Sequence, residues 1–189
     1  MRYAILAAAV LAAACSSSNP DSNVQRLLDA HAPGLPLGGR VPQEAHARYE
    51  LQVAPYEGYR APKFQGPDGV RELVVQVDRA PGDGKSATVS PRARIQSVSL
   101  RSPNAAATAR IDRKVREALG EPKVLCYTAA QGFRVETRYW PGDGGRGVLF
   151  LVFTDSLPSD IATYGMGWAI ITFGAGPITS DHVKLEACP

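Results

Sequence analysis

The side chains that most often carry catalysis are sparse in this sequence. Three histidines are present: His31, His46 and His182. Their spacing matches no H-E-x-x-H or C-x-x-C type of ligand set, so the sequence predicts no metal site. Ser180 and Asp181 come directly before His182, but the side chains of consecutive residues diverge, whereas a catalytic triad needs its three groups to converge in space. We expect Ser180 and Asp181 to form a turn.

Two carboxylates on expected strands, Glu72 and Glu136, could serve as an acid and a base. Strand carboxylates more often pair with neighbouring cations, here Arg71 and Arg138. The glycine-rich stretch 142–147 lacks the lysine of a phosphate-binding loop, and we expect it to be a hairpin tip. The sequence therefore predicts a protein that is not an enzyme and that uses no cofactor.

Two cysteines, Cys126 and Cys188, remain once Cys15 is assigned to the N-terminal segment described next. An even pair in an exported protein predicts a disulfide. A loop of this length would stabilise the fold by about 4 kcal/mol at most in the chain-entropy description. The alternative is a pair of buried thiols. A redox-active pair is not expected, because the C-x-x-C spacing is absent.

Cys15 ends an N-terminal segment with the pattern of an export signal. Arg2 supplies a positive charge, residues 3–14 are apolar, and three alanines come directly before the cysteine. The apolar run is shorter than the roughly 20 residues that a membrane-spanning helix needs. Residues 16–20 are polar and typical of a flexible tether.

This segment resembles the lipobox of bacterial lipoproteins, in which signal peptidase II cuts before the cysteine and its thiol then carries diacylglycerol. The family favours Leu three residues before the cysteine, whereas here Ala12 holds that place and Leu11 lies one residue earlier. The resemblance implies removal of residues 1–14, lipidation of Cys15, a tether over residues 15–22, and anchoring at the periplasmic side of the outer membrane. The alternative is an ordinary secretory signal cut near Ala14.

Length and charge bound the remaining possibilities. Without residues 1–14 the chain keeps 175 of its 189 residues, enough for one domain or two small ones with a real core. Arg2 is the only charged residue lost, so 20 basic and 18 acidic residues leave a formal charge of +2. The chain has no run of lysine and arginine, which argues against a nucleic-acid partner.

Periodicity predicts two helices. Ser22 and Gln25 form a capping-box pattern that opens the first, and Pro33 stops it. The second follows Pro103 and ends at Gly120. Its apolar stripe consists of Ala107, Ile111, Val115, Ala118 and Leu119.

Elsewhere the apolar residues alternate, as in strands with one covered face. Turns rich in Gly and Asp at 66–69 and 141–145 separate strands in the way that hairpins require. The sequence therefore predicts an α+β fold of short helices packed on an antiparallel β-sheet. The expected strands cover 49–53, 70–77, 95–100, 133–139, 148–153 and 168–173.

A partial internal sequence repeat suggests two tandem units, each of a helix plus a sheet. The stretch 57–60, its Gly-Asp turn and the following strand recur in order from residue 131, with an offset of 74 between Gly58 and Gly132. This interpretation divides the chain into residues 23–101 and 102–189. Chance similarity between hairpins is the alternative.

The order of lipobox, a helix ending in Leu119-Gly120-Glu121-Pro122, Tyr127 and an aromatic hairpin resembles the SmpA/OmlA-type small outer-membrane lipoproteins. Their fold is a helical layer on a small antiparallel sheet, and its tandem form occurs in the β-lactamase inhibitory protein. The resemblance covers residues 111–153 and carries no functional residue over. It implies a binding or scaffolding module.

Aromatic residues give the remaining clue to function. They cluster in both halves, and Tyr59 and Trp140 lie near the two repeated hairpins, so we predict that these two rings belong to an exposed binding surface. The alternative is that the rings form the core beneath the helices. The clustered residues are Tyr49, Tyr56, Tyr59 and Phe64 in the first half and Tyr127, Phe133, Tyr139 and Trp140 in the second.

Together these patterns predict a membrane-anchored bacterial envelope lipoprotein that acts as a non-catalytic binding or scaffolding module. Its expected partners are the membrane, through the N-terminal lipid, and an envelope protein or polymer. Two alternatives stay open: a small periplasmic hydrolase whose site is assembled from dispersed residues, and a secreted enzyme inhibitor, which rests on likeness of fold alone.

Overall fold

The structure is a computed structural model that describes residues 22–78, 88–128, 134–154, 165–176 and 185–188. Three helices lie in this part of the chain: α1 (Asn23–Asp29), α2 (Gln43–Tyr49) and α3 (Ala105–Leu119). The strands are β1 (Gln52–Ala54), β2 (Gly58–Gln65), β3 (Arg71–Val77), β4 (Ile95–Ser102), β5 (Lys123–Thr128), β6 (Arg134–Pro141), β7 (Gly147–Phe153) and β8 (Ala169–Ala175).

The eight strands form one antiparallel sheet in the order β1-β2-β3-β4-β8-β7-β6-β5. Each half of the chain contributes a run of four neighbouring strands, and the halves meet where β4 pairs with β8. Val98 is opposite Phe173 there, and Leu100 is opposite Ile171. The predicted α+β fold with an antiparallel sheet is confirmed, although the sheet dominates it.

One hydrophobic core lies between the sheet and the helices. All three helices contribute to it, and so do strands of both halves, for example Leu73 on β3 and Phe150 on β7. The predicted cap of α1 is present, since the Ser22 hydroxyl accepts a hydrogen bond from the Gln25 backbone N–H at 3.1 Å. The Gln25 side chain does not return to the cap and instead donates to the Leu35 carbonyl.

Three elements differ from the expectations, and one of them is β2 (Gly58–Gln65), where no strand was expected. Residues 43–49 form α2, so Tyr49 ends a helix instead of opening a strand, and the left-handed backbone of Glu50 (φ 51°) separates α2 from the short strand β1. The strand β5 was not expected at all. Its first three residues are exposed, and an edge strand without a covered face shows no alternation for sequence analysis to detect.

The two central hairpins correspond more closely in structure than in sequence. The strands β2 and β3, with the short 3₁₀ turn Pro67–Gly69 between them, match β6, β7 and the turn Asp143–Gly145 at a constant offset of 76 residues. Asp68 (φ 61°) and Gly144 (φ 67°) hold the same left-handed place in these turns. The repeat that sequence analysis placed at Gly132 lies outside the described residues.

The predicted boundary between the units, after residue 101, falls one residue before the end of β4. None of the helices in the described part of the chain is long and apolar enough to cross a lipid bilayer. Cys15 and the predicted signal, residues 1–14, lie outside the described residues.

Candidate functional site

The sheet has two faces, because successive residues of a strand point to opposite sides. Val75 on β3 lies opposite Val98 on β4, which lies opposite Phe173 on β8, and all three are buried in the core under the helices. We call this side the helix face. The residues that alternate with these point to the other side, which we call the distal face, and none of the described helices packs against it.

Polar side chains on three adjacent strands meet on the distal face. Gln76 on β3 is paired with Ser97 on β4, and the Ser97 hydroxyl donates to the side-chain oxygen of Gln76 at 2.7 Å. Two residues along β4, Ser99 lies opposite Thr172 on β8, with their hydroxyl oxygens 2.9 Å apart. These hydrogen bonds hold a patch of hydroxyl and amide groups at the junction of the two halves.

The same line of pairing continues across the second half of the sheet. Thr172 lies opposite Leu149 on β7, Leu149 opposite Tyr139 on β6, and Tyr139 opposite Lys123 on β5. The line therefore passes from amide and hydroxyl groups to an aliphatic side chain, a phenol and an ammonium group. We call this set the transverse row: Gln76, Ser97, Ser99, Thr172, Leu149, Tyr139 and Lys123.

A cavity of about 620 Å³ opens at the transverse row. Besides Gln76, Ser97, Ser99, Thr172 and Leu149, its lining includes Ile170 and the hairpin residue Arg146. Among the described residues of the lining there is no carboxylate and no histidine. The cavity therefore offers neutral hydrogen-bonding groups, an apolar patch and one positive charge.

Aromatic packing occupies a different part of the distal face. Phe153 stacks on Trp168 with ring centroids 4.0 Å apart and planes only 4° from parallel. The Arg101 guanidinium lies over the Trp168 ring, 5.8 Å from its centroid, and pairs with Glu72 at 3.3 Å. Glu72 thus pairs with Arg101 of the neighbouring strand β4.

The predicted aromatic binding surface of Tyr59 and Trp140 is wrong for Trp140. This ring is fully buried on the helix face, where its indole N–H donates to the Gly120 carbonyl at 2.9 Å and its edge meets Phe150. Tyr59 also lies on the helix side, because it is opposite Val75. It is partly exposed and packs edge-on against His46 of α2, and burial raises the pKa of its phenol. The two rings therefore share no exposed surface.

The other candidate carboxylate, Glu136, and Asp112 of α3 are both paired with arginine. Glu136 accepts from Arg138 at 2.5 Å, as expected, and Arg138 also reaches Asp112 of α3 at 2.9 Å. Burial by itself would lower the pKa of Arg138, but the hydrogen bonds that it donates to Glu136 and Asp112 raise it. The Arg138–Asp112 ion pair links α3 to β6, and the Arg138–Glu136 ion pair occupies the Glu136 carboxylate.

His31 lacks the free ring nitrogen that a general base needs. Its Nδ1 lies 2.9 Å from the Leu27 carbonyl, and its Nε2 lies 3.2 Å from the Asp68 carboxylate. Ser180, Asp181 and His182 lie outside the described residues. The described residues contain no group of three or more histidine, cysteine or carboxylate side chains placed to hold a metal ion.

The predicted disulfide between Cys126 and Cys188 is present, with their Cα atoms 5.1 Å apart. Next to it, the backbone groups of Cys126 and Glu186 exchange two hydrogen bonds of 2.8 and 2.9 Å. The bridge therefore holds the end of the chain against the outer edge of β5.

Sequence analysis missed the transverse row. The available signal was the pair Ser97 and Ser99, two residues apart on a strand whose other face is apolar, but their partners come from β3 and β8, distant in sequence. Comparison with known proteins adds no assignment: no protein-family model, curated protein or solved structure matches this chain.

Proposed function

We propose that this chain is a lipid-anchored lipoprotein of the bacterial envelope that acts as a non-catalytic binding module, with the distal face as its binding surface. One observation carries the choice of surface. The described helices all cover the opposite face, while the distal face holds a cavity of about 620 Å³ whose described lining mixes hydroxyl, amide and apolar residues with one arginine. Such a mixture is typical of binding sites.

The anchor is proposed from sequence. Cleavage before Cys15 and lipidation of its thiol would leave the tether, residues 15–22, between the membrane and α1, which begins at Asn23. A lipid anchor of this kind supplies membrane affinity.

A tandem origin of the two halves is part of the proposal. The constant offset of 76 residues between the central hairpins supports it, as does a strand order in which each half forms its own run of four. The pairs Gln65↔Arg71 and Pro141↔Gly147 also correspond at this offset. The units would be residues 23–101 and 102–189, joined through β4 and β8.

The choice of binding over catalysis is supported by the partners of the candidate acids. Glu72, Glu136 and Asp68 each face an arginine or lysine at 3.3 Å or less. A carboxylate already hydrogen-bonded to a cation suits a structural role better than proton transfer.

The anchor is tested by fractionation. Wild type labelled with a radioactive fatty acid should appear in the membrane fraction, and Cys15→Ser should lose the label and leave that fraction. Retention of both by Cys15→Ser would contradict the anchor.

The binding surface is tested by a matched pair of variants. Thr172→Arg places a long charged side chain in the cavity, and Glu117→Arg places one on the exposed side of α3. We expect chemical crosslinking of the detergent-solubilised chain to envelope components to fall at least tenfold in the first variant and to stay unchanged in the second. A hydrolytic activity on envelope substrates that Glu136→Gln or His182→Ala abolishes in folded protein would instead establish the enzyme.

A further inference from the structure

The charge around the distal cavity is one-sided. Its described lining contains Arg146 and no carboxylate. Arg146 forms no hydrogen bond or ion pair through its side chain within the described part of the chain, whereas Arg101 and Arg138 are held by Glu72 and Glu136. An anionic group is therefore attracted to this end of the cavity, and a cationic ligand is disfavoured.

The uncharged groups of the cavity suit a ligand rich in hydroxyls. The Ser99 and Thr172 hydroxyls bond to each other, and each keeps further capacity to donate or accept. Ser97 occupies the amide oxygen of Gln76, so the amide nitrogen keeps its donors for a ligand. Closely spaced neutral donors and acceptors of this kind match the hydroxyls of a sugar.

The apolar part of the cavity lies beside the polar part. Leu149 pairs with Thr172, and Ile170 lies two residues from Thr172 on the same face of β8. Tyr139 follows Leu149 along the transverse row. Sugar rings have apolar C–H faces that pack on aliphatic and aromatic side chains, while their hydroxyl edges form hydrogen bonds.

The row is long enough for several sugar rings. From Gln76 on β3 to Tyr139 on β6 it crosses four inter-strand spacings, about 19 Å at the usual strand separation. At its far end Lys123 adds a second cation.

We infer that the distal face binds an anionic polysaccharide, laid along the transverse row with a carboxylate of the sugar on Arg146. This inference rests on the proposed function, because it names the ligand of the same surface. A polypeptide partner is the competing occupant, and the experiment separates the two.

The test uses the full chain in detergent and calorimetric titration with three probes of matched length. Oligogalacturonate carries hydroxyls and one carboxylate per ring, dextran carries hydroxyls alone, and poly-L-glutamate carries carboxylates alone. We expect oligogalacturonate to bind at least tenfold more tightly than either of the others. Equal binding of poly-L-glutamate, or no binding of oligogalacturonate, overturns the inference.

Three variants locate the site. Arg146→Met should weaken oligogalacturonate binding about tenfold, since a charge-assisted hydrogen bond is lost at an exposed position. The double variant Ser99→Ala/Thr172→Val should weaken it about fivefold, and it removes both partners of one hydrogen bond, so no buried group is left unpaired. Arg113→Met on the exposed side of α3 should change nothing. An equal loss in Arg113→Met would show that net charge, not this site, governs binding.

Failure of the inference and failure of the proposed function give different results. If Thr172→Arg abolishes crosslinking to an envelope protein while no sugar probe binds, the polysaccharide is wrong and the distal face remains the binding surface. If Thr172→Arg leaves crosslinking unchanged and Ser99→Ala/Thr172→Val leaves sugar binding unchanged, the surface itself is wrong.

Discussion

Asp68 joins three elements at the tip of the β2–β3 hairpin, and we expect Asp68→Asn to destabilise the fold by about 2 kcal/mol. Its carboxylate accepts from Lys114 of α3 at 2.6 Å and from His31, which follows α1, at 3.2 Å. Its carbonyl accepts from Arg110 at 2.9 Å. Asparagine tolerates the left-handed backbone at this position (φ 61°) and leaves the Arg110 contact intact, so the substitution isolates the charge.

Most of the expected loss of stability in Asp68→Asn comes from the contact with His31. The Lys114 side chain is 45% exposed, and ion pairs in that setting contribute roughly 0.2–1 kcal/mol. The His31 side chain is 0% exposed, and a hydrogen bond between a buried group and a charged partner contributes about 1.5–3 kcal/mol. The amide oxygen of asparagine still accepts from His31, which brings the expected loss to about 2 kcal/mol.

The loss of stability in Asp68→Asn should depend on pH in a defined direction. Burial by itself would raise the pKa of Asp68, but the hydrogen bond and charge of Lys114, followed by those of His31, hold it below its usual value. Because the folded pKa lies below the unfolded one, the carboxylate stabilises the fold above about pH 4, and this contribution is lost as pH falls through the folded pKa. The difference between wild type and variant should therefore be largest near neutral pH and narrow in acid.

Urea unfolding followed by circular dichroism, from pH 7 down to pH 3, measures this difference. The denaturant slope should be the same in both proteins, so that the midpoint reports stability. Glu117→Gln, on the exposed side of α3, is the matched control and should change stability by less than about 0.5 kcal/mol. The electrostatic reasoning is refuted if the difference in unfolding free energy between wild type and Asp68→Asn stays constant or widens toward pH 3.

Two further predictions concern the packing of the second half. Trp140→Phe should lower the free energy of unfolding by about 1–3 kcal/mol, because it removes a buried hydrogen bond and leaves a void. Binding by the folded variant should be unchanged. Loss of binding without loss of stability would instead place Trp140 on the binding surface. Gly147→Ala should cost at least about 2 kcal/mol, since its Cβ would lie 1.8 Å from the Trp140 carbonyl oxygen. Gly176→Ala, whose Cβ would make only an ordinary contact at 3.7 Å, is its control in the same unfolding assay, and equal losses would contradict the steric argument.

The elements that sequence analysis found are those whose own residues carry a periodic signal. The helix α3 has a long apolar stripe, β3 is rich in valine, and β7 is almost wholly apolar. The helix α2 was missed because it has only seven residues and no side-chain cap. These are local properties, so a sequence window of one element contains them.

The disulfide followed from the sequence in the same way. Cys126 and Cys188 were the two cysteines left after Cys15 was assigned to the signal, so pairing needed no geometry. The predicted export signal and the proposed anchor at Cys15 also depend only on the order of residues in one segment.

The composition of the proposed binding surface was decided by tertiary structure. Alternation of apolar and polar residues predicts that a strand has two unlike faces. It does not reveal which face the helices cover or which strand pairs with it. Trp140 could therefore be placed on a surface by sequence, although its register on β6 puts it under α3 beside Phe150. The transverse row exists only because β4 pairs with β8, which brings Ser99 beside Thr172 across a separation of 73 residues. Pairing of that kind is chosen by burial of the whole core, and no stretch of the sequence contains it.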